Sequence, residues 1–176
     1  MVLKNCVGLC VTNSDDPPGK YHTKDLFVAH KSLPNRCKFV GRVDDRFPMP
    51  NGENVLPFEY EGAVVEDALV KEAVIFGVGR SVLGLLVFRS EKAKDLTDQE
   101  FVSAIWPLIE KINSITSQTA RIQRQMIVPL PAGRIYSHTD KSTFVRAGVY
   151  SEFEPEIEQA YQRMDQASKY KSVRRV

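Results

Sequence analysis

The most apolar stretch of the chain, Ala73 to Phe88, is interrupted by Arg80 and by three glycines, Gly77, Gly79 and Gly84. A helix that crosses a bilayer needs about 20 predominantly apolar residues, so this stretch is too short and too broken to span a membrane. Within it, the β-prone runs Val70 to Phe76 and Leu83 to Phe88 flank Gly77-Val78-Gly79-Arg80-Ser81. That pattern predicts an antiparallel strand pair joined by a glycine-containing loop. The glycines do not form a dinucleotide-binding fingerprint, because Val82 stands where the third glycine belongs and a strand rather than a helix follows.

The clearest helix start lies just beyond, at Thr97-Asp98-Gln99-Glu100. Thr97 can cap the first turn while Glu100 reaches back to the Thr97 amide, and Leu96 and Phe101 are spaced as a hydrophobic staple. Phe101, Ile105, Leu108 or Ile109, Ile112 and Ile115 recur at helical spacing, which marks a core-facing stripe, and Pro107 is expected to bend or interrupt the helix after Trp106. Met126 to Leu130 reads as a short strand ending at Pro131, Ala132 to Ser142 as a polar loop, and Pro155 to about Gln166 as a last helix, with a frayed tail after Ser168.

Towards the N-terminus, Asn13-Ser14-Asp15-Asp16-Pro17-Pro18-Gly19 is a turn, since prolines lack the amide donor and glycine permits reversal. Tyr21 to Val28 and Lys38 to Val43 read as strands. Pro50-Asn51-Gly52 predicts a tight turn between Arg46 to Met49 and Glu53 to Leu56, and a helix is expected from Pro57 towards Asp67.

With 176 residues the chain is long enough for one domain carrying an extension, and its formal charge of +2 is close to balance. The basic residues are scattered apart from Lys169, Lys171, Arg174 and Arg175, a run read as a solvated tail, so nucleic acid is not implied. Cys6, Cys10 and Cys37 have neither zinc-site spacing nor a redox pair, and His22, His30 and His138 form no helical metal pair; no metal site is expected. Val2 to Thr12 lacks the apolar run of a signal peptide, so a cytoplasmic, non-membrane protein is expected.

Four ordered pieces carry a resemblance: Tyr21-His22-Thr23-Lys24-Asp25-Leu26, Gly41-Arg42-Val43-Asp44-Asp45-Arg46, Asn51-Gly52-Glu53 with Glu61 behind it, and Pro131 followed by Thr139-Asp140-Lys141-Ser142-Thr143-Phe144-Val145-Arg146. Together they resemble the closing motifs of the adenylate-forming (AMP-binding) superfamily. Ser14-Asp15-Asp16-Pro17-Pro18-Gly19 and Ile105-Trp106-Pro107 resemble, more narrowly, fungal nonribosomal-peptide-synthetase-like adenylate-forming reductases.

The resemblance implies that Asp25 accepts hydrogen bonds from the ribose hydroxyls of ATP and that Arg42 holds nucleotide oxygens, against the alternatives of a loop aspartate and a structural ion pair. It makes Asp44 the hinge of a rotating subdomain and Gly52 the turn that approaches a pantetheine channel, where an ordinary hairpin glycine is the alternative. Lys141 resembles the lysine that neutralises oxygen charge as a carboxylate attacks the α-phosphate, with a solvated loop lysine as the alternative. Two departures bear on it: Lys141 stands five residues before Arg146 rather than the usual three, and Ser142 replaces a glycine common in the fungal relatives.

The phosphate loop, adenine pocket, magnesium ligand and acid pocket belong to the superfamily's large domain, and no such motif occurs in these residues. The expectation is therefore an α+β fold, a small sheet with packed helices, organised as a stub of the large domain (1–40), the C-terminal subdomain (41–166) and a tail (167–176). Such a chain is expected to be a detached or truncated lid of an adenylate-forming enzyme linked to fungal secondary metabolism, inactive alone, and to use ATP and Mg2+ only within a complete enzyme. Its expected partners are a large adenylation domain or carrier domain in trans, or a second copy. The alternatives are a regulatory module docking on such domains and an independent small enzyme using His138, Asp140 and Lys141.

Overall fold

A computed structural model of the chain describes residues 2–4, 14–15, 18–29, 32–42, 46–50, 52, 54–138 and 144–173. Strands β1 (Val2–Lys4), β2 (Ser14–Asp15) and β3 (Pro18–His22) form an antiparallel sheet in the order β1-β3-β2. β4 (Asp25–Ala29) pairs antiparallel with β5 (Cys37–Arg42), and β6 (Phe47–Pro48) with β7 (Asn54–Val55). The single strand expected over Tyr21 to Val28 is divided at Thr23 and Lys24, where Lys24 adopts a left-handed φ of 62° and ends the first ladder.

The larger unit is a three-layer packing around β8 (Val70–Phe76), β9 (Gly84–Arg89) and β10 (Ile127–Leu130), in the order β10-β9-β8. β8 and β9 are antiparallel, as their spacing predicts, whereas β10 lies parallel to β9. A parallel neighbour needs a crossover. It is supplied by α2 (Asp98–Ile115), which leaves one end of the sheet and brings the chain back to the other.

Successive strand residues point to opposite faces, so the sheet has two apolar sides. Ala73, Ile75, Leu85, Val87 and Ile127 face α1 (Pro57–Val65) and α2, whereas Val74, Phe76, Leu86, Phe88 and Val128 face α3 (Arg146–Glu152) and α4 (Glu154–Val173). Burial on both faces is why β9 reads as an unbroken apolar run rather than an alternating one.

The capping box at Thr97 is formed: Glu100 donates its N–H to Thr97 Oγ1 at 3.3 Å, and the Thr97 N–H donates to Glu100 Oε2 at 2.9 Å. Pro107 does not interrupt α2. Proline inside a helix costs about 3 kcal/mol, but Ile105 and Ile109, fully buried on either side of it, hold the segment in one helix. The final helix also continues through Val173, seven residues past its expected end at Gln166 and through the expected fray after Ser168. Propagation from a formed helix is far easier than nucleation, so the packed turns at Ile157, Ala160 and Tyr161 support the polar turns after them.

Pro129 sits in the edge strand β10, where a missing amide is tolerated when it faces away from the ladder. The other edge, β8, is satisfied by side chains: the Ile75 N–H donates to Glu61 Oε1 at 2.7 Å, and Tyr150 Oη donates to the Ile75 carbonyl at 2.6 Å. No helix among the described residues is long and apolar enough to cross a membrane.

Candidate functional site

Asp25 and Arg42, the two candidates for nucleotide contact, are directly opposite each other in the β4–β5 ladder. Asp25 opens β4 immediately after the left-handed Lys24, its N–H donates to Thr23 Oγ1 at 3.4 Å, and it is half-buried. A bulge between Leu26 and Phe27 re-aims the strand beyond this rung. Asp44, the candidate hinge, follows the end of β5 by two residues and lies outside the described residues.

Gly52 belongs to the turn between β6 and β7, where its N–H donates to the Met49 carbonyl at 2.9 Å. Pro50 therefore occupies the first central position, suited to its fixed φ, and Gly52 closes the turn at φ +83°. No atom lies within 4 Å of where a Cβ would stand on Gly52, so within this chain the backbone angle alone demands glycine.

Lys141 also lies outside the described residues, in the segment 139–143, but both stems that carry it are defined. His138 and Phe144 form an antiparallel bridge, and the Val145 N–H donates to the Ser137 carbonyl at 2.9 Å. Of the triad His138, Asp140 and Lys141, only His138 is described; it is exposed, with Nδ1 at 3.1 Å from the Tyr136 carbonyl oxygen.

Beyond the second stem, Arg146 makes a bidentate pair with Glu61: Nη1 donates to Oε1 at 2.7 Å and Nη2 to Oε2 at 2.9 Å. Nη1 also reaches the Ile75 carbonyl at 3.3 Å, and the guanidinium lies between the rings of Phe47 and Phe144, 5.1 and 5.0 Å from their centroids. One cation thus joins β6, α1, β8 and the exit of the Lys141 segment. Burial opposes its charge, but the Glu61 hydrogen bond and carboxylate outweigh that and hold Arg146 above its ordinary pKa. Burial also pushes the adjacent Tyr150 hydroxyl up to about 12, so it remains a hydrogen-bond donor at neutral pH.

Glu61 and Arg146 were visible in the sequence only as members of motif pieces, with no sign that they meet, since 85 residues separate them. Helix α3, which bears Arg146, was not expected at all: Val145 offers no side-chain cap, and a glycine lies at position 148. Among the described residues there is no cluster of three or more His, Cys, Asp and Glu able to hold a metal ion.

Comparison with known proteins bears directly on this arrangement. Residues 44–165 match the model of the AMP-binding enzyme C-terminal domain. The chain is 31% identical over 160 residues to the adenylate-forming reductase Nps10 of Heterobasidion annosum, covering 88% of this chain and 15% of that protein. It is 30% identical over 165 residues to adenylate-forming reductase Nps9 of Serpula lacrymans, covering 92% of this chain and again 15% of the relative. The chain therefore spans about a seventh of the length of these curated relatives. Its fold is that of part of the A-PCP didomain of a carboxylic acid reductase from Segniliparus rugosus, solved in complex with AMP, with a TM-score of 0.64 at 21% identity over 89% of this chain and 23% of that one. With the family model spanning most of the chain and these relatives covering 88% and 92% of it, this protein belongs to the family of AMP-binding enzyme C-terminal domains and is related to the fungal adenylate-forming reductases.

Proposed function

We propose that the chain supplies the mobile lid in ATP-dependent activation of a carboxylic acid and turns over only with a large adenylation domain, whether joined to it or separate. The observation that carries the reading is the shared rung of Asp25 and Arg42, a carboxylate and a guanidinium two residues ahead of Asp44. A carboxylate offers acceptor lone pairs to ribose hydroxyls, and a guanidinium offers a fixed fork of donors to nucleotide oxygens, so this donor set fits a nucleotide.

On this reading Asp44 is the pivot, and rotation about it brings either Lys141 or the Gly52 turn towards the large domain. A carboxylate oxygen of the acid attacks the α-phosphorus, the bond to pyrophosphate breaks, and pyrophosphate leaves with its electron pair. The Lys141 ammonium offsets the oxygen charge that grows during this step. Mg2+ has no ligand cluster among the described residues, and its coordination is assigned to the large domain. On this reading the chain acts in fungal secondary metabolism in the cytoplasm, with a carrier domain as the second partner; its kinship with fungal reductases and with a non-canonical nonribosomal peptide synthetase supports the first of these.

The test is carboxylate-dependent ATP–pyrophosphate exchange by the chain alone, mixed with a large adenylation domain, and mixed as Lys141→Ala. The expected result is no exchange alone, exchange on mixing, and a loss of about a hundredfold or more in the variant. Exchange by the chain alone would overturn the lid reading. Binding to the large domain that changes its rate without any dependence on Lys141 would instead make the chain a regulatory module.

A further inference from the structure

The chain leaves β10 through a turn in which the Arg134 N–H donates to the Pro131 carbonyl at 3.3 Å. Gly133, at φ +76°, takes the second central position, where this turn needs a left-handed residue. The turn sets the Arg134 guanidinium 5.4 Å from the centroid of the Phe153 ring and leads into Tyr136, which packs on Phe88 with ring centroids 4.5 Å apart. Phe88 in turn meets Phe153 edge-on at 5.4 Å. Arg134 and Tyr136 are thereby held on an aromatic group that belongs to the buried core.

Lys71 reaches the same place from β8. Val70 pairs with Arg89 and Glu72 with Phe88, so Lys71 is the extra residue of a bulge, which re-aims its side chain out of the strand's alternation. Its Nζ lies 5.6 Å from the centroid of the Tyr136 ring. Lys71, Gly133, Arg134, Ile135, Tyr136 and His138 line one cleft of about 280 Å3. None of these is a carboxylate, and neither Lys71 nor Arg134 makes an ion pair with a described carboxylate. Glu72, the neighbour of Lys71, has its Oε1 occupied by the Ala73 N–H at 3.1 Å. Burial, and after it the charge of Glu72, hold the Tyr136 hydroxyl above its ordinary pKa, so it remains a donor.

We propose that this cleft is an anion site for a phosphate group, with Lys71 and Arg134 supplying the positive charge and Tyr136 a hydroxyl donor. A phosphate monoester carries about −1.5 to −2 charges at neutral pH and three acceptor oxygens, which matches two cations better than a carboxylate with its single charge does. The lysine meets it as a point charge and the guanidinium as a fork of donors. Inorganic phosphate and a phosphate carried on an organic molecule share this chemistry.

The test is titration of the whole chain at low salt with inorganic phosphate and, separately, with glycerol phosphate, following the backbone amide signals of Arg134, Ile135 and Tyr136 by NMR. The expected result is saturable shifts of these signals with a Kd of about 1 mM or tighter, and the ligand that binds more tightly identifies the source of the phosphate. Lys71→Gln and Arg134→Gln should each weaken binding about tenfold. Both side chains are exposed, so the melting temperature should stay unchanged. Lys111→Gln, on the exposed side of α2 across the sheet, should leave the affinity within about twofold. Absence of saturation for both ligands up to about 10 mM would overturn the proposal. So would an equal loss in Lys111→Gln and Lys71→Gln, which would reduce the binding to a general attraction of anions to a basic chain.

Discussion

Strands β9 and β4 are similar in length but live in different surroundings. Every residue of β9 is buried, between α1 and α2 on one side and α3 and α4 on the other. In β4 the described side chains alternate along one face as half-buried Asp25, exposed Phe27 and exposed Ala29, and Leu33 in the connection to β5 is 49% exposed. Both pairs are antiparallel ladders, each with one shift of register, so pairing alone does not separate them. What differs is the cover, and apolar cover contributes about 25 cal/mol for each Å² removed from water. The buried core described here therefore belongs to the three-layer unit, while in β4 Phe27 and Ala29 are exposed on the strand that Asp25 opens.

The sharpest way to break that comparison is to remove the polar tie that binds the three-layer unit together. Glu61→Ala leaves Arg146, with 20% of its side chain exposed, without its carboxylate and leaves the Ile75 N–H without an acceptor. The expected loss is about 3 kcal/mol or more in urea unfolding; a loss below about 1 kcal/mol would show that the hub is not what closes the edge of β8.

A subtler change should go the other way. Burial raises the pKa of Glu72 in β8, with Glu61 adding to the rise while the Ala73 amide, Lys71 and Arg146 oppose it. A carboxyl whose folded pKa exceeds its unfolded value binds its proton more tightly in the fold, so stability declines as pH rises between those two values. Glu72→Gln should therefore stabilise the chain at pH 7, with the gain fading below the ordinary carboxylate range; a gain that grows in acid would contradict the assignment. The smallest effect is expected in β4, where Phe27 is 39% exposed and Phe27→Ser should shift the main unfolding transition by no more than about 0.5 kcal/mol. A large shift there would mean that β4 shares the core after all.

These contrasts also account for what could be read beforehand. The capping box at Thr97, the stripe of α2 and the β8–β9 pair are encoded by neighbours in sequence, so spacing alone reveals them. The α+β class follows from the same elements. The parallel placement of β10 depends on a crossover, and α3 depends on Arg146 meeting Glu61 and on burial of Val149 and Phe153, none of which a local pattern records. Within the candidate site, Asp25 and Arg42 were legible as separate motif members but not as one rung, because a bulge and the turn at Lys24 set their register. Gly52 was expected in a tight Asn-Gly turn; it closes a turn that begins at Met49, since Pro50 takes the position its ring favours.

The margins of the central sheet have a further consequence. An unpaired strand edge invites other chains to add to it, which is a common route to aggregation. Here one margin carries Pro129, which has no amide to offer an incoming strand, and at the other the amide and carbonyl of Ile75 are already engaged by Glu61, Arg146 and Tyr150. A sheet bordered this way can stand crowded by copies of itself without being recruited into an intermolecular sheet.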